Sequence, residues 1–187
     1  MSTRDKLVEA AAKLLDLGGE QAVTLRAVGH AAGVSHNAPY KHFRNRDALL
    51  AAVAVADFDM LTTRFVEIRV SASSAGDKLL AAISALVAFS RERPSRYRLV
   101  FGAPTLAREH PELQVQSTAC LSEIILMVDE CKSANALPDA PTKSLASLLL
   151  AAMHGLVLLE AQGQLRPEKG LLTIEENMAL MVTLLAP

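Results

Sequence analysis

Two short helical patterns separated by a tight turn lie between Val23 and Phe43, and they constrain the fold more than any other feature of the chain. Thr24 can cap the first helix, because its hydroxyl can accept a hydrogen bond from a free amide of the first turn. Apolar residues then recur at helical spacing as far as Gly33, where glycine lets the backbone reverse without a Cβ clash. Val34 is expected to turn inward between the helices. The stretch therefore predicts a helix-turn-helix.

The start of the second helix has two interpretations. If Ser35 caps it, Pro39 lies inside the helix and removes one backbone hydrogen bond. If Asn37 caps it, Pro39 lies in the first turn, where proline is tolerated. The sequence leaves both positions open.

Motifs in and around this stretch resemble the DNA-binding domain of the tetracycline-repressor (TetR) family. The matching segments, within about Thr3 to Val53, are Ala32-Gly33-Val34-Ser35, Tyr40-Lys41-His42-Phe43 and Arg46-Asp47-Ala48-Leu49-Leu50. Pro39 departs from the family pattern, which usually has an apolar residue other than proline there. The resemblance implies a DNA-binding domain of three helices over residues 1–48 and a helical ligand-binding and dimerisation domain over residues 49–187.

Nine residues are expected to contact DNA, because their side chains can bond to base edges or phosphates or lie beside those that do. Base contacts are expected from His36, Asn37 and Ala38. Phosphate contacts are expected from Thr24, Tyr40, Lys41 and His42, the last by family resemblance. Ser35 and Arg46 complete the set.

The composition supports an all-α fold. Only 4% of the 187 residues are aromatic and 51% are hydrophobic, and alanine and leucine recur throughout, which favours packed helices over strands. The net charge is −1, but residues 1–50 carry +2 and residues 51–187 carry −3. The N-terminal part is therefore the better candidate for binding a polyanion.

The chain predicts about nine helices. Thr3 is expected to cap the first helix, and Asp47 is expected to open the fourth, which would link the two domains. The seventh is expected to run from about Pro111 to Ser133, with Val115 and Leu121 on its inner side.

Two further helices are expected at about residues 141–162 and 174–185, with more apolar surface than a monomer needs. The apolar run Leu145 to Leu159 falls short of the about 20 residues that cross a bilayer, so it is interpreted as a buried helix with no membrane partner. The resemblance implies a homodimer joined through these two helices, which would read a near-palindromic DNA operator. Met153-His154-Gly155 is similar to a Trp-His-Gly element that names one class of the family.

A pocket for a small-molecule effector is a hypothesis with an equal alternative. Apolar side chains between helices could line such a pocket or could simply form the core. For His154 a core or interface position is favoured over a ligand contact. The pocket candidates are Met60, Tyr97, Phe101, Cys120, Met127 and His154.

No motif indicates catalysis, a cofactor or a metal site. His30, His36 and His42 recur every six residues, which places them on different faces of a helix, so no metal ligation is predicted and His30 is expected at the surface. The two cysteines and the charged N-terminus favour a reduced, cytoplasmic setting. We therefore expect a ligand-responsive transcriptional regulator, and the resemblance implies a repressor. The alternative is a helical enzyme or a protein-interaction module using the C-terminal cavity.

Overall fold

The computed structural model describes residues 1–102 and 104–187, except for the side chains of residues 104, 105 and 167. Every regular element in these ranges is helical, which confirms the all-α prediction. The helices are α1 (Thr3–Gly18), α2 (Leu25–Ala31), α3 (Ala38–His42), α4 (Arg46–Arg69), α5 (Ala75–Glu92), α6 (Pro94–Gly102), α7 (Pro104–Glu109), α8 (Pro111–Ser133), α9 (Thr142–Ala161) and α10 (Ile174–Leu185). Single 3-10 turns lie at Glu20–Ala22 and Pro167–Lys169.

The described residues hold one α-helix more than the nine expected, namely α7. The segment around Pro104 reads as a break between helices, because proline often follows the end of a helix. Proline is also favoured in the first turn of a helix, where its missing N–H group costs nothing. The same residue therefore starts a short helix here, as Pro94 and Pro111 do.

Two helix starts differ from the prediction. Ser2, not Thr3, caps α1: its hydroxyl accepts from the Asp5 amide at 3.1 Å, and the Asp5 carboxylate accepts from the Ser2 amide at 2.9 Å. This reciprocal capping box needs an acid three residues after the cap, and only Ser2 has one. The fourth helix begins at Arg46, one residue before Asp47, and Asn45 accepts from its first turn.

The chain divides into two compact units, which are described separately. The first comprises residues 1–60 and 92–118. Helix α1 packs against α2, α3 and α6. Phe43, which follows α3, is buried. The other large buried side chains of this unit include Leu7, Leu15, Val23, Val28, Leu49, Leu50, Val53, Phe58, Leu99 and Leu113.

The turn between α2 and α3 resolves the two interpretations of the second helix. Asn37 is the residue before α3, so Pro39 lies in the first turn and the Ser35 cap is wrong. The Ser35 carbonyl instead accepts from the amide of Ala38 at 2.9 Å in the preceding turn. Gly33 has a φ of 64°, which confirms the predicted reversal, while Val34 is only half-buried.

A close approach of α2 to α3 explains why Pro39 is tolerated. Pro39 is buried against Gly29, and a Cβ atom added at Gly29 would lie 2.8 Å from the Pro39 Cγ atom. Because Gly29 of α2 has no side chain, there is room for the pyrrolidine ring of Pro39 in α3. The sequence did not indicate this pairing.

The second unit comprises residues 61–91 and 119–187, and in it α9 packs on α10. Arg91 joins their ends by ion pairs to Glu160 of α9 at 2.7 Å and Glu175 of α10 at 2.6 Å. Each of these helices buries one apolar stripe. The buried residues are Leu145, Ala146, Leu149, Met153 and Val157 in α9, and Ile174, Met178 and Val182 in α10.

Helix α9 has nearly the predicted bounds, but in a single chain it is only partly buried, whereas a buried helix was predicted. It is 20 residues long with a mean hydropathy of 1.7, so by length and composition alone it could cross a membrane, and 28% of its apolar stretch is buried. The exposed apolar residues of α9 and α10 are Leu148, Leu158, Leu159, Leu180 and Leu184. The apolar pattern identifies which side chains are costly to leave in water, but not which surface buries them.

Helix α8 has the predicted bounds, but its inner side differs. Val115 and Leu121 are exposed, whereas Cys120 and Cys131 are buried on the stripe that contains Ile124. Helical spacing, rather than apolar character at a single position, decides which face is buried.

Replacing Gly29 with alanine should destabilise the protein by about 1–3 kcal/mol, because the new methyl group would collide with the Pro39 ring. The matched control is Gly76→Ala in the first turn of α5, where nothing lies within 4 Å of the added Cβ atom. That change should be neutral or stabilise by up to about 1 kcal/mol. Urea unfolding followed by circular dichroism measures both, and equal effects of the two changes would contradict the proposed close packing.

Candidate nucleic-acid interface

The N-terminus of α2 presents an exposed polar group that is held by its own helix. The Thr24 hydroxyl accepts from the amide of Ala27 at 3.1 Å, which confirms the predicted cap. Arg26, also exposed, follows in the first turn. A cation opposes the helix dipole at this end, so its presence favours an external anion as partner. Arg26 is absent from the contacts predicted from the sequence, although this position in the first turn could have indicated it.

The exposed side of α3 and its preceding turn is polar. Ser35, His36 and Asn37 are exposed in the turn, and their side chains precede the helix rather than lie on it. The rings of His36 and Tyr40 lie 6.0 Å apart at 60°, and Tyr40 is 55% exposed. The tyrosine therefore offers its hydroxyl to solvent while its ring lies near the imidazole.

The end of α3 continues this polar side. Lys41 and His42 are exposed, and Arg44, also exposed, follows the buried Phe43. Ala38 is half-buried, and its side chain offers only a methyl group for a contact. All nine predicted DNA contacts, the eight from Thr24 to His42 together with Arg46, belong to the first unit.

Arg46 has an internal role that the sequence did not indicate. Its Nε atom donates to the Val23 carbonyl at 2.9 Å, and Nη2 donates to the Glu20 carbonyl at 2.6 Å. These bonds join the first residue of α4 to the segment just before Thr24. Arg46 therefore positions the N-terminus of α2, and a contact of its own with DNA stays a prediction.

A buried ion pair lies in the same unit. Arg96 of α6 donates through Nε and Nη2 to the carboxylate of Asp57 in α4, whose side chain is completely buried, and it also pairs with Asp16 of α1 at 3.5 Å. Burial raises the pKa of Asp57, while the guanidinium opposes this shift. Conversely, the carboxylate of Asp57 raises the pKa of Arg96 against the effect of burial. One arginine thus joins three helices of the unit that carries the helix-turn-helix.

The six pocket candidates fall in different units. Met60, Tyr97 and Phe101 belong to the first unit, where the Tyr97 and Phe101 rings lie 5.0 Å apart and Phe58 meets Phe101 edge-on at 5.8 Å. Burial raises the pKa of Tyr97 to about 12. Tyr97 and Phe101 therefore form one aromatic cluster, as their spacing of four residues predicts.

Cys120, Met127 and His154 belong to the second unit. Cys120 and Met127 are buried, and burial raises the pKa of the Cys120 thiol to about 11. Burial lowers the pKa of His154, so its imidazole is neutral at physiological pH. These three side chains are apolar or uncharged, which suits either a core or a pocket. Among the described residues, no group of three or more His, Cys, Asp or Glu side chains could hold a metal ion.

Comparisons with known proteins decide the family. Residues 7–53 match the family described as bacterial regulatory proteins of the tetR family, and residues 79–185 match a domain described as tetracyclin repressor-like, C-terminal. The second match alone covers more than half of the chain. The chain belongs to the TetR family. The resemblance found in the helix-turn-helix therefore extends to the C-terminal helices.

Relatives of the chain agree with this assignment. An uncharacterised HTH-type transcriptional regulator of Mycobacterium tuberculosis is 26% identical over 162 residues, which cover 86% of this chain and 71% of that protein. A protein of unknown function from Rhodococcus sp. RHA1 has a TM-score of 0.85 at 27% identity, covering 100% of this chain and 97% of its own. A TetR family transcription regulator from Marinobacter aquaeolei VT8 shares the fold, with a TM-score of 0.69 at 21% identity and coverages of 96% and 94%.

Family membership settles the class of function. This TetR family member is a ligand-responsive, DNA-binding transcriptional regulator, and the family does not favour the alternative of an enzyme or a protein-interaction module. TetR family regulators bind DNA operators, act as dimers and respond to small-molecule effectors. The matched N-terminal segment contains the exposed polar side of α3.

Replacing Asp57 with asparagine should destabilise the protein by about 3 kcal/mol or more, because Arg96 would keep a buried charge without its main partner. The double change Asp57→Leu with Arg96→Met should recover most of that loss, since it removes both charges. Glu67→Ala, which breaks an exposed pair with Arg64, is the control and should cost less than about 1 kcal/mol. Urea unfolding measures all three variants. A loss for Asp57→Asn no larger than the control's would contradict this role for the ion pair.

Proposed function

We propose that this protein is a homodimeric repressor that binds a near-palindromic operator and is released by a small molecule. The observation that carries the proposal is the exposed polar side of α3 beside a capped α2 N-terminus, in a chain whose N-terminal segment matches a family of DNA-binding regulators. Release by a ligand and repression follow the behaviour for which the family is named. We place the protein in the cytoplasm, where its DNA lies, with residues 1–48 as the DNA-binding domain and residues 49–187 as the ligand-binding and dimerisation domain.

The DNA contacts divide by chemistry. We assign base readout to His36 and Asn37, whose exposed ring and amide can bond to base edges in the major groove, with Ala38 offering a methyl contact. We assign phosphate contacts to Lys41 and Tyr40, which present an ammonium group and an exposed hydroxyl.

Further phosphate contacts complete the proposed surface. The Thr24 hydroxyl and His42 keep the roles predicted from the sequence, and Ser35 adds a second hydroxyl in the turn. The guanidinium groups of Arg26 and Arg44, both exposed, extend the positive charge of the same unit.

We propose that dimerisation covers the exposed leucines of α9 and α10. A single chain leaves Leu148, Leu158 and Leu184 between 57% and 75% exposed on helices that are otherwise apolar. A two-fold axis would bring the same surface of a second copy against it and bury both sets at once. Two copies would also present two α3 helices to half-sites about one turn of the duplex apart, about 34–36 Å between centres.

We propose that the effector acts by a population shift. A ligand that binds about 100-fold more tightly to the form unable to bind the operator supplies about 2.7 kcal/mol toward release. Helix α4 is the expected link, since residues 46–60 belong to the first unit and residues 61–69 to the second. The six pocket candidates, with His154 as the weakest, stay the proposed effector contacts.

Lys41→Ala and Asn37→Ala should affect DNA binding differently. Operators are first selected by the purified protein from a random pool of duplexes. Lys41→Ala should then weaken binding to all sequences and reduce the salt dependence by about one charge, because it removes a phosphate contact. Asn37→Ala should relax preference at one or two base pairs by about 1–3 kcal/mol. Fluorescence anisotropy over a range of salt concentrations measures both.

Lys169→Ala is the matched control for charge, because Lys169 is also exposed but belongs to the second unit, in a 3-10 turn outside α9 and α10. It should leave both affinity and salt dependence unchanged. If Asn37→Ala weakened binding to all DNA sequences equally while Lys41→Ala altered base preference, the assignment of the two residues would be reversed. Failure to select any sequence at low salt would contradict the proposed DNA interface.

Leu158→Glu and Leu184→Glu should each dissociate the dimer at micromolar concentration. Each change removes a leucine contact worth about 2 kcal/mol from both copies and buries a carboxylate in its place. Leu17→Glu makes the same change at an exposed leucine of α1 and should leave the dimer intact. Sedimentation velocity distinguishes the two states, and an unchanged dimer in both α9 and α10 variants would place the interface elsewhere.

A further inference from the structure

A groove of about 760 Å³ lies within the first unit, and the proposed function does not use it. Its walls come from α1, α4 and α6, with one residue from α8. Small residues on facing helices create the space: Ala12 lies on α1, and Ala52 and Ala56 lie on α4. None of the six pocket candidates lines it. A volume of about 300–1,000 Å³ is typical of sites for small molecules.

The carboxylates of the groove largely have partners in the protein. Asp5 accepts from the amide of Ser2 in the capping box, and Glu9 pairs with Lys13 at 2.7 Å. Asp16 pairs with Arg96 at 3.5 Å, and Asp59 also takes part in a contact. Most of the negative charge around the groove is therefore already engaged.

Arg93 differs from these groups. Its Nη1 atom donates to the thioether sulfur of Met60 at 3.4 Å. Arg93 forms no ion pair with any residue in the described ranges, although its charge opposes the rise in the pKa of Asp57 that burial causes. A thioether is a weak acceptor, whereas a guanidinium can hold a carboxylate or sulfonate through two parallel hydrogen bonds. Arg93 immediately precedes α6 and is half-buried, so part of its hydration is already lost. It therefore favours an anionic ligand.

Arg4 of α1 also lines the groove, and it forms no ion pair in the described ranges, although its charge helps to lower the pKa of Asp5. Its guanidinium lies over the Phe43 ring, 5.4 Å from the centroid. The groove also has apolar surface, because Val8 and Val55 line it and are half-buried. The lining thus places an apolar surface beside two arginines that form no ion pair in the described ranges, although their charges act on nearby carboxylates.

We propose that this groove binds an amphipathic organic anion, with its charged group on Arg93 and its apolar body against the alanines and valines of α1 and α4. The site lies within the unit that carries the helix-turn-helix. Three of the proposed effector contacts belong to the second unit. The other three belong to this unit and do not line the groove, although one of them, Met60, contacts Arg93. It concerns binding of a small molecule and does not rest on the DNA contacts assigned above.

The test uses two fluorescent probes with the full-length protein in the absence of DNA. One is 8-anilino-1-naphthalenesulfonate, which has an anionic group on an aromatic body, and the other is the neutral N-phenyl-1-naphthylamine. Arg93→Gln should weaken binding of the sulfonate at least about tenfold, because a charged hydrogen bond is lost, and should change binding of the neutral probe less than about twofold. Arg98→Gln, at an exposed arginine of α6 outside the groove, should alter neither.

A second variant tests whether the probes occupy the groove, rather than whether they need the charge of Arg93. Ala56→Trp places a large ring in the groove from an exposed position, so the fold should tolerate it, and it should weaken both probes. Circular dichroism and thermal unfolding verify that each variant is folded. Unchanged sulfonate binding by folded Arg93→Gln, or unchanged binding of both probes by Ala56→Trp, would overturn the site. If the protein failed to bind DNA while both probes behaved as expected, the proposed function would be contradicted but the ligand site in the groove would not.

Discussion

The close approach of α2 and α3 determines how the candidate interface is presented. Gly29 leaves room for the ring of Pro39, so proline becomes a packing residue in the first turn of α3. With the helix starting at Ala38, His36 and Asn37 lie in the turn before it, where they are exposed. A start at Ser35 would have placed the same side chains on the first turn of a longer helix. Gly29 thus determines which polar side chains lie in the turn and which lie on helix α3.

The buried pair of Asp57 and Arg96 adds a second constraint to the same unit. Removing two charges from water costs several kcal/mol for each ion, so the pair contributes less to net stability than to the choice of one arrangement. Only a geometry in which α6 meets both α4 and α1 satisfies Arg96, because its partners lie on those two helices. Small alanines beside this pair leave the groove open rather than filling it. Polar contacts therefore fix the arrangement of the helices around Arg96, whereas the packing beside the groove is looser.

The sequence predicted most helices, because their apolar spacing and flanking prolines and glycines are local signals. It failed where two local signals competed, as with adjacent cap candidates Ser2 and Thr3, or with Pro104, which can end one helix or start the next. The DNA contacts stay predictions, based on local pattern and family resemblance, and most of these residues are exposed in the structure. The roles of Arg46 and Gly29 could not be predicted, because each depends on a partner ten or more residues away.

Helix α9 shows why a sequence pattern cannot replace the assembled molecule. Its buried stripe repeats every four residues from Leu145 to Val157, which accounts for one face. Leucines on other faces remain exposed in a single chain, although an exposed apolar surface of this kind is costly in water and rare on a monomer. A regulator that must read two half-sites needs a second copy at a fixed spacing. The same leucines would then supply both the stability of α9 and the geometry of DNA recognition.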